Sequence, residues 1–385
     1  MKVGLIRGAY LSQFEMQTYE HLLPEVQLEA YHIRINRFPV DDIHVPIRRM
    51  HSIDDPITMV SSKLGFYFNL FLQATCGLDY YHFGLLNALA DKDIAHTMET
   101  FNAFSYQALQ AKRRYGTKLV VTVWENRPYA AERFAAKRRM KYEVIQGADL
   151  FLAMTPRAAR CLTLEGADER KTKVLPMGIN LKRFRPRAKP IEWMKRFGLH
   201  EEEFIILSVA ALLWEKGVHE ILHAFKQLTL DYPHRRLRLV YAGSGGEKEP
   251  LQDLARRIGL QEHVSFLKFP YEEIHYAYNM ADIFVLASAP RKGWLEQFGY
   301  VLAEALASGT PIVTTLSGSI PEVVGDAAML VPPSDFLALR DAMNDLILNP
   351  EKSEELSQKG RAWAEKHYDS QKNALKIRKA YEELF

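Results

Sequence analysis

Short apolar runs separated by amphipathic stretches organise the chain. Val3–Ile6, Leu119–Val123, Leu150–Ala153, Phe204–Val209, Leu237–Ala242, Ile283–Leu286 and Pro311–Thr315 are short, β-prone and bounded by polar or glycine positions. A parallel strand covered on both faces loses the in–out alternation of an exposed one, so such runs predict buried parallel strands. Between them the period changes. In Gly217–Thr229, Val218, Ile221, Leu222, Phe225 and Leu228 fall on one face of a helix, and Pro250–Ile258 and Tyr300–Ala307 also carry a helical period. Strand alternating with helix predicts the α/β class with doubly wound parallel sheets.

The series restarts midway. After Leu175, the stretches Pro176–Asn180 and Phe184–Pro190 are rich in proline, glycine and basic residues and have no period, which predicts a linker. Two Rossmann-like domains are expected, over residues 1–185 and 186–370. A charged amphipathic helix in 371–385 is expected to return to the first domain.

Composition narrows the class without naming a partner. Of the 385 residues 48% are hydrophobic and 25% charged, an ordinary globular balance that excludes a disordered chain or a disulfide scaffold. Cys76 and Cys161 predict free thiols in a reducing compartment. The start MKVGLIRGAY reads as a first strand rather than a secretion signal. Leu64–Ala74, the longest apolar run, falls short of the ~18 residues a spanning helix needs. The expectation is a cytoplasmic protein. A net charge of +3 gives no reason to expect nucleic acid. The charge is nevertheless uneven. Between Lys112 and Lys141 ten Lys and Arg face only Glu125 and Glu132. This stretch is read either as a solvated helix face or as a peripheral contact with anionic lipid at the inner membrane face.

The chemistry concentrates in Trp294–Pro311, WLEQFGYVLAEALASGTP, which follows a buried strand. Glu296 precedes the next helix and Glu304 lies on it. Ligands of open α/β sheets bind at the carboxyl edge of the strands. The amides of Phe298, Gly299 and Tyr300 open that helix, where free N–H groups and the helix dipole favour a phosphate. A carboxylate beside such a site suits ribose or sugar hydroxyls.

The pattern Glu296-x-Phe298-Gly299 through Glu304-Ala305 to Gly309 and Pro311 resembles glycosyltransferase family 4, retaining enzymes of the GT-B fold with a Glu-x7-Glu motif. Further segments extend the resemblance over roughly 145–370: Glu215-Lys216-Gly217, the glycine-rich turn beginning at Gly243, Leu175–Asn180 and Ser317–Gly325. The resemblance implies two Rossmann-like domains facing each other across a cleft, with the acceptor on the first and the nucleotide sugar on the second. It implies that Lys216 neutralises the donor diphosphate and Glu304 holds the ribose. Glu296 would touch the transferred sugar, while Phe298, Gly299, Tyr300 and Gly243 would complete the donor site. The implied reaction moves a hexose unit from a UDP- or GDP-linked donor to the hydroxyl of a glycan, lipid or small molecule, with no metal and no further cofactor. A nucleotide-sugar epimerase, a phosphorylase of the same fold and a sugar-nucleotide-binding protein without turnover are the alternatives.

This chain departs from the family pattern at three places. Ala211 stands where an arginine is usual, and Arg291 or Lys292 is expected to supply the missing charge. Trp124, followed by Glu125, stands where a histidine is usual. The first loop, from Gly8, lacks the usual glycine pair. Gly8, His96, Trp124 and Glu125 are the acceptor-side candidates. Two motifs read as decoys. His219-Glu220-Ile221-Leu222-His223 has zinc-binding spacing, but its apolar stripe accounts for the helix without metal. Asp91-Lys92-Asp93 is read as a turn before a strand.

Overall fold

The computed structural model describes residues 1–385, apart from the side chain of Ser62. The chain divides into two compact units, Met1–Gly178 with Ser370–Phe385, and Ile179–Asp369. The division falls at 178/179 rather than at 185/186, because the segment from Ile179 packs with the second unit: the Ile179 amide donates to the Tyr368 carbonyl, and Phe184 is buried against Tyr271 and Tyr278.

The first unit holds β1 (Lys2–Gly8), β2 (Gln27–Ile33), β3 (Ile47–Ser52), β4 (His82–Phe83), β5 (Ile94–Met98), β6 (Lys118–Val123), β7 (Leu150–Ala153) and β8 (Thr172–Val174). They form one eight-stranded sheet in the order β4-β3-β2-β1-β5-β6-β7-β8, parallel except for β3 with β4. Ile6, Ala95, Val121 and Phe151 pack with Phe104, Ala108 and Leu109 of helix Ala103–Tyr115 in one core. A polar cluster is also buried in this unit. Arg7 pairs with Glu15 at 2.7 Å and donates to the His96 carbonyl and the Tyr19 hydroxyl. Helix Ser370–Glu382 joins this unit and buries Ile377 and Tyr381.

The second unit holds β9 (Phe204–Val209), β10 (Leu237–Ala242), β11 (Val264–Leu267), β12 (Ile283–Leu286), β13 (Ile312–Thr315) and β14 (Met329–Val331). All pair in parallel, in the order β11-β10-β9-β12-β13-β14. In the register, Ile206 of β9 lies opposite Leu239 of β10 and Ile283 of β12. Helix Val218–Asp231 turns its predicted stripe, Val218, Ile221, Leu222, Phe225 and Leu228, into this core. Sequence order reverses between β9 and β12, and ligands of open α/β sheets bind at the strand carboxyl ends beside such a reversal.

Strand and helix bounds differ from the sequence reading mainly by omission. β2, QLEAYHI, shows no clean period because its polar groups are paired in place: the Tyr31 hydroxyl donates to Glu29 and to the Ala88 carbonyl. β8 and β14 have only three residues each, too few to carry a period.

The basic stretch from 112 to 141 is not a uniform solvated face. Lys137 and Lys141 are buried, the first paired with Asp79 and the second with Glu132 and Glu165. Lys112 pairs with Asp149, Arg127 with Glu125, and Arg113 and Arg139 both with Glu143. Acids outside the stretch supply most of these partners, which a local charge count does not see. Among the described residues no helix is long and apolar enough to cross a membrane.

Candidate functional site

The site assembles at the β9/β12 reversal. β9 ends at Val209, and the loop that follows carries Lys216 on a short turn. β12 ends at Leu286, and its loop carries Ser288, Arg291, Trp294 and Glu296. Gly217 brings the two loops together. Its φ of +65° suits glycine, and a Cβ there would lie 2.0 Å from the Ala287 carbonyl oxygen. Gly243, at the end of β10, is equally constrained: a Cβ would lie 1.9 Å from the Ala210 carbonyl oxygen. The glycine-rich turn thus braces the loop that carries Lys216, with the Leu212 amide donating to the Ser244 carbonyl at 2.9 Å.

Lys216 Nζ donates to Glu296 Oε2 at 2.6 Å, and Ser288 Oγ donates to the same oxygen at 2.7 Å. The ammonium also lies 4.7 Å from the Trp294 ring centroid, a cation–π contact. Glu296 is buried, whereas the Lys216 side chain retains 20% of its exposure. Its backbone is held from the next loop, where the Ser319 amide donates to the Glu296 carbonyl at 3.0 Å. Gly299 then forms the N-cap of helix Tyr300–Ser308 with a left-handed backbone and no side-chain cap. Phe298 is buried against Tyr300 and Tyr368, which anchors the start of the helix.

Glu304 lies on the buried face of that helix and accepts a 2.6 Å hydrogen bond from the Tyr278 hydroxyl. Burial pushes its carboxyl up to about 7, against the opposing hydrogen bonds of Tyr278 and Tyr271 and the Arg183 guanidinium. Arg291 donates to Glu215 at 3.1 Å, so its charge is partly committed at the mouth of the same loop pair. Ser288 and Trp294 were missed as site residues. Each stands in the sequence as an ordinary loop residue, and only the closeness of β9 and β12 brings them to Lys216.

The four acceptor-side candidates all lie in the first unit. His96 is fully buried in β5. Its Nδ1 lies 2.6 Å from the Tyr381 hydroxyl and its Nε2 2.7 Å from Thr122 Oγ1, so it is a core histidine rather than a cleft residue. Burial holds it well below the usual imidazole range. Gly8 is buried at the end of β1, where a Cβ would meet the Phe104 ring at 2.7 Å. Glu125 is engaged by Arg127 through two 3.0 Å bonds, and the Trp124 amide donates to Glu99. The decoys are engaged locally. His219 contacts Glu247 at 2.7 Å, Asp93 accepts from the Lys2 amide, and Asp91 pairs with Lys2 and Lys92.

Residues 191–363 match the family model of glycosyl transferases group 1. The chain is 33% identical over 196 residues to a GDP-mannose-dependent alpha-(1-6)-phosphatidylinositol monomannoside mannosyltransferase of Mycolicibacterium smegmatis, covering 49% of this chain and 50% of that protein. It is 31% identical over 261 residues to a D-inositol 3-phosphate glycosyltransferase of Corynebacterium jeikeium, covering 65% of this chain and 61% of that one. The alignments thus span between half and about three fifths of these curated relatives. Among solved structures, Anabaena HepE in complex with UDP superposes with a TM-score of 0.78 at 17% identity over the full length of both chains. Sucrose-phosphate synthase of Thermosynechococcus elongatus superposes with a TM-score of 0.77 at 20% identity, covering 100% of this chain and 99% of that one. Residues 191–363 therefore resemble a glycosyl transferases group 1 domain, in a chain whose two Rossmann-like sheets have the GT-B fold.

Proposed function

We propose that the chain is a retaining, metal-independent glycosyltransferase that moves a hexose unit from a UDP- or GDP-linked donor to an acceptor hydroxyl. The observation that carries this reading is the Lys216–Glu296 pair at the β9/β12 reversal, beside the glycine N-cap that begins helix Tyr300–Ser308. The names of the relatives and the UDP bound by HepE support it.

The chemistry needed is stabilisation of a departing nucleoside diphosphate. On donor binding, Lys216 exchanges its contact with Glu296 for phosphate oxygens. The amide dipoles at Gly299 and Tyr300 face the same charge, so leaving-group charge develops against a preorganised positive field. Glu296, released from Lys216 and still held by Ser288, accepts from hydroxyls of the transferred sugar. Glu304 accepts from the ribose in place of Tyr278.

A thermal-shift panel of UDP, GDP and ADP sugars tests the assignment, since a ligand that binds only the native state raises its melting temperature. At least one nucleotide sugar is expected to stabilise the protein, and Lys216→Ala and Glu304→Ala are each expected to abolish most of the shift. A shift retained by both variants would remove the donor from this site.

A further inference from the structure

The longest apolar run of the sequence folds as a helix with its polarity reversed. Helix Ser62–Thr75 turns Gly65, Asn69 and Leu72 inward, where the Asn69 amide donates to the buried Asp54 at 2.9 Å. A helix that covers a core does the opposite, burying its apolar side chains and wetting its polar ones. Here Leu64, Tyr67 and Phe71, spaced three and four residues apart, face outward together with Phe66. Met59 and Val60, at the end of helix Asp55–Val60, extend the patch, and these six side chains are each between 53% and 82% exposed. The two helices meet closely at Gly65, where a Cβ would lie 2.8 Å from Thr58 Cα, so the patch sits on a tightly packed base. A contiguous apolar surface left in water marks a docking site.

Its surroundings identify the occupant. Lys63 is the only charged residue in 56–78. Helix Ala135–Gly147 packs against both Ser62–Thr75 and Ala103–Tyr115, and these three helices carry a single acid, Glu143. Their exposed charges are all positive: Lys63, Arg113, Arg114, Arg138 and Arg139. Of these, Arg113 and Arg139 share Glu143. A second copy of the chain on a two-fold axis would set this basic border against itself. An anionic lipid surface satisfies both parts, since aromatic and aliphatic side chains enter the headgroup–acyl boundary while the bases face lipid phosphates. With 14 residues, about 21 Å, the helix is too short to cross a bilayer and long enough to lie in its surface.

We infer that the face of the first unit built on helix Ser62–Thr75 docks on an anionic phospholipid bilayer, with Leu64, Phe66, Tyr67 and Phe71 as the inserted side chains. The anchor is thus a segment outside the 112–141 stretch, whose exposed arginines add only attraction. Every residue involved belongs to the first unit, so the inference is independent of the donor reading.

Co-sedimentation of the full chain with vesicles tests it, using phosphatidylcholine alone and phosphatidylcholine with about a third phosphatidylglycerol. The chain is expected to bind the anionic vesicles about tenfold or more tightly than the neutral ones, and to lose most of that preference in about 0.5 M salt. Phe66→Ser/Phe71→Ser is expected to lower the partition coefficient about tenfold or more with an unchanged melting temperature, because both side chains are exposed in the free protein. Arg138→Gln/Arg139→Gln is expected to weaken binding to the anionic vesicles alone. Failure to bind the anionic vesicles, or equal binding to both kinds, would overturn the inference. Parental binding by the Phe66→Ser/Phe71→Ser variant would do the same. If that variant melts lower than the parent, the arginine variant decides: its parental binding to anionic vesicles would overturn the inference. A lipid-free dimer in sedimentation velocity that the phenylalanine variant converts to monomer would assign the face to a second copy instead.

Discussion

Glu99 is a carboxyl whose chemistry departs far from its ordinary value without belonging to the donor site. It follows β5 with a φ of +59°, unusual for a residue with a side chain, and is 6% exposed. Its Oε1 accepts from the amides of Trp124 and Glu125, tying the end of β6 to the end of β5, while its Oε2 has no partner within the chain. Burial, with the charge of Glu125 adding to it, pushes the carboxyl up to about 8. A carboxyl raised on folding holds its proton more tightly in the native state. The stability it confers is complete below the unfolded value of about 4.3 and is lost as pH rises through the folded value. Glu99→Gln keeps an acceptor for both amides and cannot ionise. Relative to the parent, its melting temperature is therefore expected to rise between pH 5 and pH 9, by an amount corresponding to a few kcal/mol at most. A pH-independent difference would show that Glu99 is already charged in the native protein. Glu304 acts in the same direction with its value near 7. Nothing in the sequence marks Glu99, because its character comes from burial and from Glu125 and Glu165, which lie in other segments.

At the scale of elements, the turn Trp214–Lys216 with Gly217 does the positioning that the candidate chemistry needs. Gly217→Ala places a methyl against the Ala287 carbonyl at a left-handed backbone position. It is expected to cost more than about 1 kcal/mol and to move Lys216 away from Glu296. Lower melting together with a weakened nucleotide-induced shift is the expected result. Parental values for both would mean that the β9 and β12 loops do not depend on this contact. The reading of elements from sequence worked best where burial is complete. β9, β10 and β12 begin and end where their apolar runs do, and helix Val218–Asp231 buries the stripe its period marks. It failed at β2, whose polar side chains find partners inside the unit, and at strands of three residues, where there is no pattern to read.

Over the whole molecule, the C-terminal helix belongs to the unit that begins the chain. Ile377 and Tyr381 are buried there, and the Tyr381 hydroxyl contacts His96. Deleting residues 370–385 is expected to strip hydrogen-exchange protection from β1 and β5 while β9 and β12 keep theirs. Unchanged protection in β1 and β5 would show that the helix merely covers a unit already stable. Local order was legible in the sequence by itself: the alternation of strand and helix, the two series, and the spacing of Lys216, Glu296, Gly299 and Glu304. Such patterns survive because full burial and backbone conformation constrain neighbouring residues directly. Only the tertiary structure decided which polar groups meet. Lys216 reaches Glu296 across 80 positions, His96 is sealed by a helix from the far end of the chain, and the basic stretch is dispersed onto acids outside it. Charge pairing and burial are properties of packed surfaces, and residues distant in sequence build those surfaces.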